Sequence, residues 1–172
     1  MAGGSLVTKL VKGFEELARL GWVDGMLPRV FGGQAAGCAP IATAVEAGSD
    51  RVTPVTPRTV ARSIAIGNPV DGDWAAKAIR QSGGWAAVVP ESEVVEGIQF
   101  LAKHSGIFAE TAGGVTVSAA RRLASEGRLT SDDEVVLVIT GNGFKTVEAL
   151  DGALAAAPVI EPHVAQLEAH VR

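Results

Sequence analysis

Apolar and polar positions recur along this chain with helical and strand periods in turn. Over residues 5–20 the period is helical. Leu6, Leu10, Phe14 and Leu17 form one stripe with Val7, Val11 and Ala18 beside it, and Lys9, Lys12, Glu15, Glu16 and Arg19 take the wet side. Lys12 with Glu16 and Glu15 with Arg19 are spaced for i,i+4 pairing, and Gly21 is placed to stop the helix. Arg29–Gly33 reads as a short strand, and Gly37 and Pro40 lead into a helix over 40–47. Gly48, Asp50, Pro54 and Pro57 mark 48–57 as a surface loop, and Thr59–Ile66 suggests a short helix. Gly67-Asn68-Pro69 and Asp71-Gly72-Asp73 are turn sequences, with Asp73 placed to cap a helix over 74–82 that Gly83-Gly84 ends.

The second half continues the alternation. Trp85–Val89 is short and apolar, a strand. Pro90, Glu91 and Glu93 suit a first helical turn, Val94, Val95, Ile98, Leu101 and Ala102 give that helix its apolar face, and Gly106 stops it. Ile107–Ala109 is a short extended link before a helix over about 113–126, ended by Gly127. Val135–Ile139 is a continuous apolar run, the mark of a strand buried on both faces of a parallel sheet. Strands alternating with helices predict an α/β fold, three-layered and doubly wound around a mainly parallel sheet, over residues 1–150. The Ala-rich stretch 147–172 reads as partly helical, with 151–172 a C-terminal tail.

Ligands of such sheets sit outside the carboxyl ends of the strands. Three glycine-rich segments are candidates for that rim: Gly3-Gly4-Ser5, Gly113-Gly114 and Gly141-Asn142-Gly143. The first runs straight into a helix. There the N–H groups point outward and the helix dipole adds partial positive charge, which makes an anion site. Such turns normally follow a strand, and none precedes this one, so the chain reads as the second part of a larger protein.

Composition narrows the function. The 172 residues suit one domain, with 47% apolar residues, 21 glycines and a net charge of −4. With no basic stripe, nucleic acid is not an expected partner. A single cysteine, Cys38, rules out an intrachain disulfide and a cysteine-rich zinc site. No apolar run is long enough to span a bilayer, and Lys9, Glu15 and Glu16 sit where a signal peptide would be apolar, so a soluble cytoplasmic protein is the expectation.

The remaining chemistry is sparse. Gly141-x-Gly143 lacks the third glycine and the acidic partner of a dinucleotide fingerprint and reads as a tight turn. His104 reads as a helix C-terminal cap, and His163 and His170 as solvated tail residues. No two histidines have ligand spacing on a firm helix, so no metal site is expected. Cys38 lies near a helix start, which lowers a thiol pKa, yet a buried structural cysteine is the favoured reading. Glu110-Thr111 before Gly113-Gly114, and Thr140 closing the apolar run, fit two readings equally: groups that orient a ring ligand, or a helix cap and an ordinary strand end.

Five segments occur in a telling order. They are Gly3-Gly4-Ser5-Leu6 with Lys12-Gly13-Phe14, Gly33-Gln34-Ala35-Ala36-Gly37-Cys38-Ala39-Pro40, Ser63-Ile64-Ala65-Ile66-Gly67-Asn68-Pro69, Gly106-Ile107-Phe108-Ala109-Glu110-Thr111-Ala112-Gly113-Gly114-Val115, and Thr140-Gly141-Asn142-Gly143-Phe144-Lys145. Together, over about residues 3–150, they resemble the C-terminal part of threonine synthase, a pyridoxal-phosphate enzyme family of the tryptophan-synthase-β-like fold. The resemblance implies conversion of O-phosphohomoserine and water to threonine and phosphate. Threonine dehydratases share the fold and are the nearest alternative, though Ile66-Gly67-Asn68-Pro69 favours the synthase.

Residue by residue, the resemblance matches Gly3, Gly4, Ser5 and Leu6 to the loop whose amides hold the cofactor phosphate. Thr140 matches the hydroxyl that bonds the pyridine nitrogen, Glu110 and Thr111 match the loop bordering the ring, and Gly141 and Asn142 close the same rim. The family's Schiff-base lysine, in a serine-x-lysine motif, has no counterpart. Lys9, Lys12, Lys77, Lys103 and Lys145 occupy other positions, so no catalytic residue is assigned. The expectation is an incomplete half of the fold that turns over substrate only when joined to an N-terminal half. Three alternatives stand beside it: a catalytically inactive remnant, a module that binds phosphate-bearing metabolites, and a homo-oligomer.

Overall fold

The computed structural model describes residues 1–25, 27–154 and 158–171. Two short parallel strands organise it: β1, Gly32–Ala35, and β2, Ala86–Val89, with Gly32 opposite Ala86 and Ala35 opposite Val89. Between them run α2, Pro40–Glu46, and α3, Gly72–Gln81, while α1, Ser5–Arg19, precedes β1. After β2 come α4, Glu91–Ser105, α5, Thr111–Ser125, and α6, Val164–Val171. No helix among the described residues is long and apolar enough to cross a membrane.

Successive strand residues face opposite sides of the sheet, and this pleat divides the core into three layers. Ala86 joins Ile41 and Val45 of α2 and Ala75 and Ile79 of α3 on one face. Ala35, Ala87 and Val89 join Val94 of α4 and Val115, Ala119 and Leu123 of α5 on the other. The strands carry small residues because the helices come close: a Cβ on Gly33 would lie 2.6 Å from that of Ala119. α4 and α5 meet backbone to backbone. A Cβ on Gly114 would stand 2.2 Å from the Val94 carbonyl oxygen, and one on Gly97 would stand 2.3 Å from that of Gly114. α5 passes Gly33 at Val115 and Ala119, and just beyond its end Arg128 lies 3.6 Å from the Trp85 ring centroid. It therefore runs antiparallel to the strands, with its N-terminus at their carboxyl ends. α3 enters β2 by its C-terminus, so its N-terminus lies at that end too.

The helices follow the predicted pattern closely, with α5 starting two residues early. Four features differ. β1 lies at Gly32–Ala35 rather than Arg29–Gly33, because Arg29 is drawn into an ion pair with Asp133 and the Val30 N–H into a bond with Ser82 Oγ at 2.9 Å. Asp73 does not cap α3. Asp71 holds the cap position, and the Asp73 carboxylate instead accepts from the Val52 N–H at 2.8 Å and from Arg51, tying down the loop before it. Thr59–Ile66 yields only a single 3-10 turn at Arg62–Ile64, since the Thr59 hydroxyl and Val60 N–H are bonded to Glu91. Val135–Ile139 is not a buried strand. Val136 is 82% exposed and Val135, Leu137 and Val138 are exposed as well, because no described residue offers the run a ladder partner. Of the tail, residues 155–157 and 172 lie outside the described residues.

Pairing along α1 is also selective. Lys12 and Glu16 form their ion pair at 3.5 Å, but Arg19 donates to the Glu15 carbonyl rather than to its carboxylate. Only Val7 of α1 is buried; Leu6, Leu10 and Phe14 lie exposed along its length.

Gly32 donates to Trp85 across the sheet, so Gly33 turns its carbonyl to the other edge of β1. The Met1 amine donates to that carbonyl, and Gln34 Nε2 donates to the Met1 carbonyl at 3.3 Å. Burial pulls the Met1 amine from 8.0 down to about 6.

Two outcomes follow from the packing and the amine. Gly114→Ala should lower the free energy of chemical unfolding by about 1–3 kcal/mol through overpacking. Gly13→Ala, with open space around its Cβ, should raise it by about 0.5–1 kcal/mol. Between pH 8.0 and about 6 the unfolded chain binds a proton at Met1 that the folded chain refuses, so stability should rise with pH across that window. The gain is on the order of 2 kcal/mol. Urea titrations at either end should show it, and acetylating the amine should flatten the dependence.

Candidate functional site

The chain reaches α1 through a left-handed residue. Gly4, at φ 93°, occupies the cap position, and a Cβ there would lie 2.6 Å from the Asp71 carbonyl oxygen. No L side chain fits that conformation in that space. The turn is pinned on both sides: the Asp71 N–H donates to the Gly3 carbonyl at 3.1 Å and the Thr8 N–H to the Gly4 carbonyl at 3.2 Å. The N–H groups of Ser5, Leu6 and Val7 belong to the first helical turn, which has no carbonyl of its own to meet them. The Ser5 hydroxyl donates to the Asp71 carboxylate, which sets a negative charge beside this positive helix end.

A second polar group gathers at the start of α5. The Glu110 N–H donates to the Gly141 carbonyl at 3.0 Å, Ala109 and Asn142 form an antiparallel bridge, and the Thr111 N–H donates to Thr146 Oγ1 at 3.2 Å. Asn142 Oδ1 accepts from the Phe144 N–H at 3.0 Å and closes the turn. A Cβ on Gly141 would stand 1.8 Å from Glu110 Oε1, so only glycine lets the carboxyl group lie there. Glu110 and Thr111 are 5% and 0% exposed, and Glu110 Oε2 and Thr111 Oγ1 find no hydrogen-bond partner among the described residues. Buried polar atoms of this kind are costly unless something meets them.

The predicted residues thus fall into two groups at the same end of the sheet. Gly3, Gly4 and Ser5 meet Asp71, with Leu6 exposed beside them. Glu110, Thr111, Gly141 and Asn142 meet one another, and Thr140 is the exposed residue that leads into their turn. What the first group lacks is an anion, and what the second lacks is a donor for Glu110.

Sequence reasoning missed Asp71, Thr146, Gln34 and the tether made by Glu91. Glu91 was legible only as a first-turn acid. Its Oε1 accepts from the Gly37 N–H at 2.9 Å, and its Oε2 accepts from Thr59 Oγ1 and the Val60 N–H, both at 2.9 Å, holding the loop against the carboxyl end of β1. Cys38 is buried there. Burial first, and the Glu91 charge second, push its thiol up, away from thiolate chemistry. His104 stacks on Phe100 with ring centroids 4.3 Å apart in the last turn of α4. A groove of about 750 Å³ between α1 and α3, lined by Lys9, Lys12, Phe14, Trp74 and Lys77, shares only Asp71 with the two polar groups. Those groups, not the groove, hold the unsatisfied chemistry.

Comparison with known proteins agrees with this geometry. The chain is similar to threonine synthase of Methanocaldococcus jannaschii, 37% identical over 144 residues, which are 83% of this chain and 35% of that protein. It is 40% identical over 140 residues to threonine synthase of Methanosarcina acetivorans, 81% of this chain and 34% of that one. With threonine synthase of Mycobacterium tuberculosis it shares 32% over 157 residues, 91% and 40%. The chain therefore spans a little over a third of the length of these relatives. Among solved structures, maize serine racemase superposes with a TM-score of 0.60 at 16% identity, covering 100% of this chain and 46% of that one. A bacterial-type threonine deaminase, from the source abbreviated T.th., does so with 0.52 at 18%, covering 79% and 49%. These two show the shared tryptophan-synthase-β-like fold. The family described as pyridoxal-phosphate dependent enzyme matches residues 1–141, and the chain belongs to it.

Proposed function

We propose that this chain is the C-terminal, cofactor-holding portion of a threonine synthase. Joined to the N-terminal portion, it would convert O-phosphohomoserine and water to threonine and phosphate in the cytoplasm. The observation that carries the reading is the pair of unsatisfied polar groups at the carboxyl end of the sheet. The glycine turn offers the N–H groups of Ser5, Leu6 and Val7 to an anion, and Glu110 with Thr111 offers buried oxygens to a second polar edge. Pyridoxal phosphate carries a phosphate and a polar ring, so these residues fit it. When bound, it supplies an electron sink for chemistry at the carbons of an amino acid.

In this reading each residue has a separate task. Gly3, Gly4, Ser5 and Leu6 hold the phosphate through backbone N–H groups, which bear no proton to lose and keep their charge character at any working pH. Thr140 offers a neutral hydroxyl to the ring nitrogen, which leaves that nitrogen largely unprotonated and moderates the ring's pull on electrons. Glu110 and Thr111 border the ring, and Gly141 and Asn142 keep the rim narrow beside them. Asp71, beside Ser5, opposes a second negative charge and weakens phosphate binding until the Ser5 contact gives way.

The covalent anchor and the proton-moving base are assigned to the other portion. Lys9, Lys12, Lys103 and Lys145 are exposed and Lys77 half-buried, all away from Glu110 and Gly141. The same portion would cover the exposed Leu6, Leu10 and Phe14 of α1 and pair the Val135–Ile139 run, faces whose exposure invites association with a partner half or a second copy. A remnant that only binds phosphate-bearing metabolites is the second reading, favoured by the same anion turn.

Reconstitution tests the proposal. Co-expression with a threonine synthase N-terminal segment that carries the anchoring lysine should restore phosphate release from O-phosphohomoserine. Thr140→Ala should then cut turnover roughly ten- to hundredfold, as loss of a buried hydrogen bond worth about 1–3 kcal/mol implies. Lys145→Ala should change it little. A folded, bound pair that releases no phosphate leaves the remnant reading in its place. Removing the charge beside the turn gives a separate check. Asp71→Asn should tighten pyridoxal phosphate binding to the isolated chain roughly two- to fivefold by fluorescence titration, since a like charge at that range costs about 0.5–1 kcal/mol.

A further inference from the structure

We infer that Gln34 is the positioning residue for the glycine turn, joining the sheet, the start of α2 and the segment that enters Gly3–Gly4–Ser5 through one buried amide. Gln34 lies in the middle of β1 and is 0% exposed, in a strand otherwise made of glycine and alanine. Its Oε1 accepts from the Ile41 N–H at 2.9 Å and from the Ala42 N–H at 3.0 Å, two of the first-turn donors of α2. Its Nε2 donates to the Met1 carbonyl at 3.3 Å. The next backbone groups along the chain, the carbonyls of Gly3 and Gly4, hold Asp71 and Thr8. The amide therefore works in both directions. Its oxygen caps a helix, and its nitrogen fixes where the chain stands shortly before the left-handed Gly4.

Neither arm can be replaced by packing. An apolar side chain of the same size would leave two buried N–H groups and one carbonyl unsatisfied. A carboxylate would keep the acceptor for Ile41 and Ala42 but turn an oxygen toward the Met1 carbonyl, so it separates the two arms. Because Ser5 and Leu6 offer their N–H groups from a turn whose entry Gln34 sets, the residue governs anion affinity without touching the anion. This last step rests on the phosphate-site reading proposed above; the positional role does not.

The test compares Gln34→Glu and Gln34→Met in the 172-residue chain near pH 7.5. Amide hydrogen exchange reads the Asp71 and Thr8 N–H groups as reporters of the turn, Ile41 and Ala42 as reporters of α2, and Ala75 and Ile79 as reporters of the core. Gln34→Glu should speed exchange at Asp71 and Thr8 by about tenfold while leaving Ile41, Ala42, Ala75 and Ile79 protected. Gln34→Met should release Ile41 and Ala42 as well. Unchanged exchange at Asp71 and Thr8 in Gln34→Glu, or equal acceleration at all six amides, overturns the inference, the latter because it reports only global loss of stability. Titration with pyridoxal 5′-phosphate, followed by the amide shifts of Ser5 and Leu6, should saturate in the parent chain and weaken at least fivefold in Gln34→Glu. Absence of any shift in the parent would remove the phosphate-site reading, and the exchange pattern would still decide the role of Gln34.

Discussion

Two nearly bare strands set the distances in this molecule. Gly32, Gly33, Ala35, Ala86 and Ala87 put so little between the sheet and its helices that α5 touches β1 through Ala119 and Gly33. Close approach of that kind gains dispersion contacts but tolerates no added atoms. It also fixes where α5 begins, and so where Glu110 and Thr111 meet the chain returning through Gly141 and Asn142. Backbone contact between α4 and α5 at Gly97 and Gly114 locks the second layer in the same way. The position of the polar rim is thus a consequence of small residues elsewhere, not of the rim's own hydrogen bonds.

How much of this is legible from residues alone depends on the range of the interaction. α3 and α4 announce themselves by apolar periodicity and by glycines that adopt positive φ just past their ends, Gly83 at 74° and Gly106 at 72°. β1 does not. Gly-Gly-Gln-Ala has neither apolar alternation nor β-branched residues, and its one polar side chain is buried because of donors seven and eight residues away. Asp71 and Thr146 are invisible for the same reason, with partners 66 and 35 residues distant. The run Val135–Ile139 errs in the opposite sense. Its composition is that of a strand with neighbours on both edges, and among the described residues there are none.

At the rim, the glycine turn and the Glu110 group were both readable as positions, because glycine at a helix start and polar residues at an element end carry local physical meaning. Their shared location was not readable from spacing. It follows from helix direction: α1, α3 and α5 all present their N-termini at the carboxyl ends of the strands, so three partial positive charges converge on one side of the sheet. Asp71 and Glu110 answer two of them with carboxylates. An anionic ligand therefore enters a field that the protein has already partly neutralised, and its affinity depends on which carboxylate yields.

Gly4 shows what such geometry means over generations. A single base change in any glycine codon yields only alanine, valine, serine, cysteine, aspartate, glutamate, arginine, tryptophan or a stop. Every one of these amino acids carries a Cβ, and at φ 93° that atom would stand 2.6 Å from the Asp71 carbonyl oxygen. The position has no neighbouring amino acid through which it could drift. A lineage that keeps this turn keeps Gly4 unchanged, and one that loses it must first move the N-terminus of α3.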